Sequence, residues 1–108
     1  MSVYFKEIEE NMDVNFLNKL DEARERAGIP FVINSAYRTP EHNAKIGGKP
    51  NSSHIKGLAV DISVTNSRQR FIVLNALLEV GFTRIGIADT FIHVDLDSGK
   101  SKEVIWTY

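Results

Sequence analysis

The chain contains no cysteine, and this absence restricts the chemistry that it can perform. Without thiols there are no disulfide bonds, and a metal has to be held by histidine and carboxylate side chains rather than by thiolates. Internal repeats, low-complexity tracts and long linkers are absent as well. The sequence therefore offers no boundary at which the chain divides.

Neither the charge nor the hydropathy of the chain indicates a nucleic-acid or membrane partner. The formal net charge is -1, and the lysines and arginines are scattered, so there is no broad positive field. No apolar run approaches the length of a membrane span. The first residues, MSVYFKEIEENMD, are acidic, whereas a signal peptide has a basic start and an apolar run. We expect a monomer that is cytoplasmic as synthesised.

The composition is typical of one globular domain. Hydrophobic residues make up 43% of the chain and charged residues 25%, a balance found in folded rather than disordered proteins. A chain of 108 residues is too short for two domains with separate cores. We predict a single domain spanning residues 1–108.

Three stretches carry helical signals. From Asp13 to Ala27 apolar residues recur at helical spacing, and a glycine and a proline follow soon afterwards. Thr39 is a typical N-cap for a short helix from Pro40 to about Lys45, with proline at the first helical position. The apolar spacing between Ser67 and Val80 predicts the third helix.

Short apolar runs between these helices predict strands. One of them surrounds Asp61, and the last is predicted as either an edge strand or a covering tail. The predicted strands are Phe31 to about Arg38, Leu58 to Val64, Phe82 to Ile87, Phe91 to Leu96 and Val104 to Trp106. The expected fold is α+β, a mainly antiparallel sheet with helices packed against one side.

Two histidines and one aspartate are candidate metal ligands. His54 follows a loop rich in glycine and serine, Asp61 lies in an apolar strand where a carboxylate needs a partner, and His93 lies on another strand. Each has a structural alternative, such as a hydrogen-bonded core histidine or an aspartate tied to a turn or an arginine. Together they make a three-ligand set of the type that leaves a fourth position open in catalytic zinc sites, although other divalent metals also accept these donors.

Three blocks of sequence follow one another in a recognisable order. They are SAYRTPEHN at residues 35–43, SHIKGLAVD at residues 53–61 and HVD at residues 93–95. In content, order and spacing they resemble the zinc D-Ala-D-Ala carboxypeptidases, a family that includes peptidoglycan endopeptidases and phage endolysins and shares its fold with the Hedgehog signalling domain. The resemblance covers roughly Phe31 to Trp106, and it implies a Hedgehog/DD-peptidase-like fold.

The resemblance also implies roles for single residues. It makes His54, Asp61 and His93 the ligands of a Zn²⁺ cofactor, and Arg38 a catalytic and substrate-binding cation that meets a substrate carbonyl or carboxylate. A planar guanidinium suits both of these tasks, and a salt bridge is the structural alternative. Ser53 either hydrogen-bonds substrate or caps the start of the strand.

The sequence leaves two interpretations open for each of two aromatic residues. Tyr37 and Trp106 either line a peptide groove or belong to the core, and core packing is the commoner role for such residues. Tyr37 is retained as a candidate substrate-binding residue.

The general base is where the sequence departs from the family. Many members carry an acid three positions before the last histidine ligand, but Thr90 occupies that position here. Asp95 lies two residues after His93, so on a strand both side chains point to the same face. We predict Asp95 as the catalytic base or as the residue that orients a ligand, with Asp89 as the reserve.

These features lead to one principal functional hypothesis and two alternatives. The principal one is a zinc metallopeptidase, either carboxypeptidase or endopeptidase, that hydrolyses peptidoglycan stem peptides. The first alternative is a non-catalytic zinc domain that binds cell-wall peptide or a protein partner, and the second is a domain whose histidines are structural. An enzyme of this kind without a signal peptide fits a phage or prophage lysis protein that is released to the cell wall.

Overall fold

The helices begin and end where the sequence places capping residues. The computed structural model describes residues 2–108. The side chains of Asp13, Thr39 and Asn66 each accept a hydrogen bond from the backbone N–H three residues further on, as N-caps do. The first helix is terminated by Gly28 in the left-handed conformation, with φ of 69°. The helices are α1 (Val14–Ala27), α2 (Pro40–Lys45) and α3 (Ser67–Glu79), within one residue of their predicted ends.

Five strands form one sheet. Its spatial order is β1-β2-β4-β3-β5, so β1 and β5 are the edges. The predicted strand near Phe31 to Arg38 is shorter than expected, and the stretch at the end of the chain is an edge strand rather than a tail. The strands are β1 (Ile33–Ser35), β2 (Ala59–Ser63), β3 (Arg84–Ile87), β4 (Phe91–Asp95) and β5 (Val104–Thr107).

The sheet is mixed, which corrects the prediction of a mainly antiparallel sheet. The β1–β2, β2–β4 and β3–β4 pairs are antiparallel, but β5 runs parallel to β3. Residues 96–103 carry the chain from the end of β4 back to the start of β3, where the Val104 N–H donates to the Thr83 carbonyl at 3.0 Å. Turn residues in the sequence mark where this connection lies but not which strand edge it reaches, so the direction of β5 was not predictable.

Alternation along the central strands separates a core face from a polar face. Val60 and Ile62 on β2, and Ile92 and Val94 on β4, are fully buried and pack in the same cluster as the apolar side chains of α1 and α3. Asp61, which lies between two core residues, points to the opposite face. That face carries the candidate site. Within residues 2–108, no helix combines the length and the apolar character that crossing a bilayer requires.

Candidate metal centre

His54 is held in a series of tight turns between α2 and β2. The N–H groups of Gly57 and Arg38 both donate to the His54 carbonyl, at 3.3 and 3.1 Å. Gly57 has φ of 70°, and a Cβ at this position would lie 2.2 Å from the carbonyl oxygen of Asn11. Both the left-handed backbone and the close approach require glycine. As a result His54 is only 3% exposed, although it lies in a loop.

Strand pairing brings the other two predicted ligands together. In the antiparallel β2–β4 pair, Asp61 is the direct partner of His93. Paired residues point to the same face of a sheet, so both side chains face away from the helices. The His54 ring approaches from the loop, and its centroid lies 5.2 Å from that of the His93 ring. The structure thus assembles all three residues that the sequence predicted as ligands.

The donor atoms of these residues have the spacing of a metal site. One atom each from His54, Asp61 and His93 lies within 4.8 Å of the others. Asp61 Oδ1 is 3.3 Å from His54 Nε2 and 2.9 Å from His93 Nδ1. Around a tetrahedral zinc with bonds of about 2.1 Å, neighbouring ligand atoms are about 3.4 Å apart. Two imidazole nitrogens and one carboxylate oxygen at this spacing fit a zinc ion.

The ring nitrogens that point away from the centre also have partners. His54 Nδ1 lies 2.8 Å from the Ala36 carbonyl oxygen, and His93 Nε2 lies 2.7 Å from Asp95 Oδ2. A carbonyl oxygen only accepts, so His54 Nδ1 carries the hydrogen and Nε2 keeps its lone pair for a metal. Asp95 likewise favours the hydrogen of His93 on Nε2, so the lone pair of Nδ1 faces Asp61. Metal-ligating histidines typically have such outward partners.

The charges in this cluster stabilise one another. Burial alone raises the pKa of Asp61, but the contacts of its carboxylate with the His54 and His93 rings outweigh burial and hold this pKa well below its ordinary value. Burial alone lowers the pKa of His93, whereas its hydrogen bonds to Asp61 and Asp95 raise it overall. Asp61 is therefore ionised at neutral pH, the state that a metal ligand requires.

Arg38 lies beside Asp61 and is fixed by three contacts. Its Nε donates to Ser35 Oγ at 3.1 Å, and its Nη1 donates to Asn43 Oδ1 at 3.2 Å. Nη2 lies 3.7 Å from Asp61 Oδ2. Asn43 is 1% exposed and lies against Gly48, where a Cβ would be 2.1 Å from Asn43 Oδ1. The guanidinium is therefore held next to the metal centre.

An open groove, which we call the metal groove, contains the three candidate ligands. Cationic and aromatic side chains both border it, and the Trp106 ring centroid lies 5.5 Å from that of His93. Trp106 lies at the groove, which is one of the two locations considered for it. The cations are Arg38, Lys49, Arg84 and Lys100, and the aromatic residues are Phe91, Trp106 and Tyr108.

Comparison with protein families identifies the chain. A family model described as Peptidase M15 matches residues 1–95. The chain belongs to the peptidase M15 family. The family membership that the three sequence blocks indicated is thereby confirmed. The fold and the His54–Asp61–His93 cluster are consistent with an M15 peptidase. The matched range ends at Asp95, before β5. A search of curated proteins found no significant match.

The two other candidate substrate-binding residues of this M15 chain lie in different places. Ser53 borders the metal groove but is only 3% exposed, and its hydroxyl donates to Asp97 Oδ2 at 2.8 Å and accepts from Lys100 Nζ at 3.0 Å. Tyr37 packs against the hydrophobic core and borders a different depression, together with Glu7. Substrate contact by either residue stays a prediction.

The candidate proton acceptors are also separated in space. Asp95 accepts from His93 through Oδ2 and from Arg84 Nε through Oδ1, each at 2.7 Å. Burial alone raises the pKa of Asp95, but its hydrogen bonds, first of all with His93, lower it overall. Asp89 and Thr90 lie in the exposed turn between β3 and β4 and are not among the residues that border the metal groove. The geometry favours the orienting role of Asp95 over the role of base.

Sequence reasoning missed three residues that support the site. They are Asn43, which holds Arg38; Arg84, which holds Asp95; and Asp97, which is 2% exposed and receives the Ser53 hydroxyl. Asn43 lies five residues after Arg38 inside the first sequence block, which was a usable signal. The contacts of Arg84 and Asp97 depend on strand pairing and on a loop path, which the sequence does not display.

Proposed function

We propose that this M15 protein is a zinc metallopeptidase that hydrolyses peptide bonds in peptidoglycan stem peptides, as a carboxypeptidase or an endopeptidase. The observation that supports this best is the juxtaposition of the His54–Asp61–His93 cluster and Arg38 in one open groove. The donors leave one side of the cluster open to the groove. Catalytic zinc sites keep such a position, whereas structural sites close it with a fourth protein ligand.

Zinc and the protein make separate contributions to the proposed reaction. Bound zinc supplies hydroxide at neutral pH and polarises the scissile carbonyl. His54 and His93 present one lone pair each to the ion because Ala36 and Asp95 engage their outward nitrogens. Arg38 has Nη2 beside Asp61, on the groove side, where it can stabilise the developing oxyanion or dock a peptide carboxylate.

The substrate proposal rests on the charge of the groove as well as on the family. Cationic side chains border it at several points, and two of them, Arg84 and Lys100, are already paired with Asp95 and Asp97. Lys49 and Arg38, whose Nη2 is 3.7 Å from Asp61 Oδ2, are the other two. A peptide that carries free carboxylates, as stem peptides do, suits this arrangement. As for the place of action, we propose a phage or prophage lysis enzyme that acts on the cell wall.

A second candidate is a non-catalytic zinc domain that binds cell-wall peptide. One observation favours it: among the described residues that border the metal groove, the carboxylates are Asp61 and Asp95, and both are engaged. The hydrogen bonds from His93 and Arg84 to Asp95 lower its pKa, which makes it a weaker proton acceptor. The two candidates share the metal centre and differ only in turnover.

The test is incubation of the zinc-loaded protein with purified muropeptides, followed by mass spectrometry of the products. Release of D-alanine identifies a carboxypeptidase, and an internal cut identifies an endopeptidase. His93→Ala should abolish turnover, whereas His42→Ala, at an exposed position on α2, is the matched control and should not. Binding of muropeptides without turnover supports the second candidate. Neither binding nor turnover refutes both.

A further inference from the structure

On the face of the sheet that carries the metal centre, one position in a row lacks a side chain. Strand pairing aligns four residues across β2, β4, β3 and β5, namely Asp61, His93, Gly86 and Trp106. A Cβ at Gly86 would lie 2.5 Å from Nε1 and 2.6 Å from Cε2 of Trp106. Any larger residue displaces the indole. Glycine thus lets the Trp106 ring lie across β3 and approach His93.

Arg84 lies two residues before Gly86 and therefore on the same face of the sheet. Its guanidinium carbon lies 5.0 Å from the Trp106 ring centroid, within the range of a cation–π contact. Its Nη1 donates to the Ser101 carbonyl, and its Nε donates to Asp95 Oδ1 at 2.7 Å. The side chain is only 13% exposed, so these contacts hold it in one place.

Asp95 transmits the position of Arg84 to the metal centre. Its Oδ1 accepts from Arg84, and its Oδ2 lies 2.7 Å from His93 Nε2. A carboxylate is planar, so fixing one oxygen also restricts the direction in which the other can meet the imidazole. The orientation of that imidazole determines where Nδ1 points, and Nδ1 is the nitrogen that faces Asp61.

We propose that Arg84, held by Trp106 in the space left by Gly86, is a positioning residue for the metal ligand His93 and acts through Asp95. On this proposal β5, which lies beyond the range matched by the M15 family model, completes the metal centre. The proposal rests on the zinc site of the proposed function and not on peptide cleavage. It survives if the protein proves to bind peptide without cutting it.

The experiment measures zinc affinity by competition with a fluorescent chelator, using purified full-length protein. The variants are Arg84→Gln, Asp95→Asn and the double variant, and Trp106→Leu removes the indole. Arg70→Gln is the matched control, because Arg70 also donates to a backbone carbonyl, that of Asp89, but lies away from the metal centre. The absorption spectrum of the cobalt-substituted protein reports ligand geometry in each variant.

The expected result is a loss of zinc affinity of about 10- to 100-fold in Arg84→Gln, the range found for outer partners of metal ligands. In the Asp95→Asn background the same change should cost less than about 2-fold, because Arg84 acts through Asp95. Trp106→Leu should weaken zinc binding in the same direction, and Arg70→Gln should leave it unchanged.

Two results overturn the proposal. One is zinc affinity in Arg84→Gln within about 2-fold of the parent, with an unchanged cobalt spectrum. The other is an equal loss with and without Asp95, which would show that Arg84 acts independently of it. If Arg84→Gln does not fold, Arg84→Lys replaces it under the same two criteria, since lysine keeps the charge but not the planar fork.

Discussion

Asp97 joins the loop after β4 to the turn that carries His54, and its removal should destabilise the fold. Its carboxylate is 2% exposed and accepts from Ser53 Oγ at 2.8 Å and from Lys56 Nζ at 3.0 Å. The N–H of Gly99 donates to it as well, at 3.1 Å. Burial alone raises the pKa of Asp97, but hydrogen bonds from Lys56 and Ser53 hold it at about 2, against an ordinary 3.8.

The size of the effect follows from this pKa. A depressed carboxylate pKa stabilises the fold above the unfolded-state pKa, and the contribution is lost as the pH falls through the folded-state pKa. The shift of Asp97 corresponds to about 2.5 kcal/mol at most. Lys56 is 44% exposed, so water screens part of the attraction, and we expect about 1–2 kcal/mol for Asp97→Asn at pH 7.

Urea unfolding of the metal-free protein at pH 7, 4 and 3 tests this reasoning. The difference in free energy of unfolding between the parent and Asp97→Asn should be nearly full at pH 4 and should fall by about half at pH 3, where the unfolded chain has become protonated. Asp89→Asn is the matched control at an exposed turn position and should change stability by less than about 0.5 kcal/mol. A difference that is the same at pH 7 and pH 3 would refute the charge-based explanation.

Three further predictions concern the metal, Arg38 and one glycine. Zinc at a thousandfold excess over its Kd should stabilise the fold by about 4 kcal/mol in calorimetry, and an equal shift in His93→Ala would contradict the assigned site. Arg38→Ala should lower kcat/KM for a cleaved peptide by about 10²- to 10³-fold, with partial recovery in Arg38→Lys, and unchanged kinetics would remove Arg38 from the reaction. Gly57→Ala should cost about 1–3 kcal/mol in urea unfolding, because φ is 70° and its Cβ would meet the Asn11 carbonyl oxygen, whereas a change below about 0.5 kcal/mol would show that the turn adapts.

Local sequence signals predicted the helices and strands well where interactions between neighbouring residues determine them. Asp13 and Thr39 cap their helices through side-chain hydrogen bonds to the third following N–H, and such a signal needs no tertiary context. The apolar run around Asp61 predicted a buried strand for the same reason. The direction of β5 and the shortening of the strand near Phe31 depend on which edges meet in the folded sheet, and these were not predictable.

The residues of the candidate site differ in the same way, because local sequence indicates some of them and not others. His54, Asp61 and His93 were predicted because metal ligands are restricted to a few residue types and because their blocks resemble those of a known family. Arg84 and Trp106 belong to abundant residue types, and their importance arises from the register that aligns them with Asp95 and with Gly86. That register is a property of the folded sheet, so no local pattern reports it.

The contrast between positions 95 and 90 explains why the sequence indicates a candidate metal centre more directly than a proton acceptor. Asp95 follows His93 by two residues within β4, so strand geometry places both side chains on one face, where His93 Nε2 lies 2.7 Å from Asp95 Oδ2. Position 90 precedes β4, and an acid there would depend on the path of the turn for access to the groove. Thr90 lies in that turn, exposed, and its carbonyl accepts from Val64 N–H at 3.0 Å. Orientation of the candidate ligand His93 therefore follows from its position on the strand, whereas proton transfer requires a group that strand register does not supply.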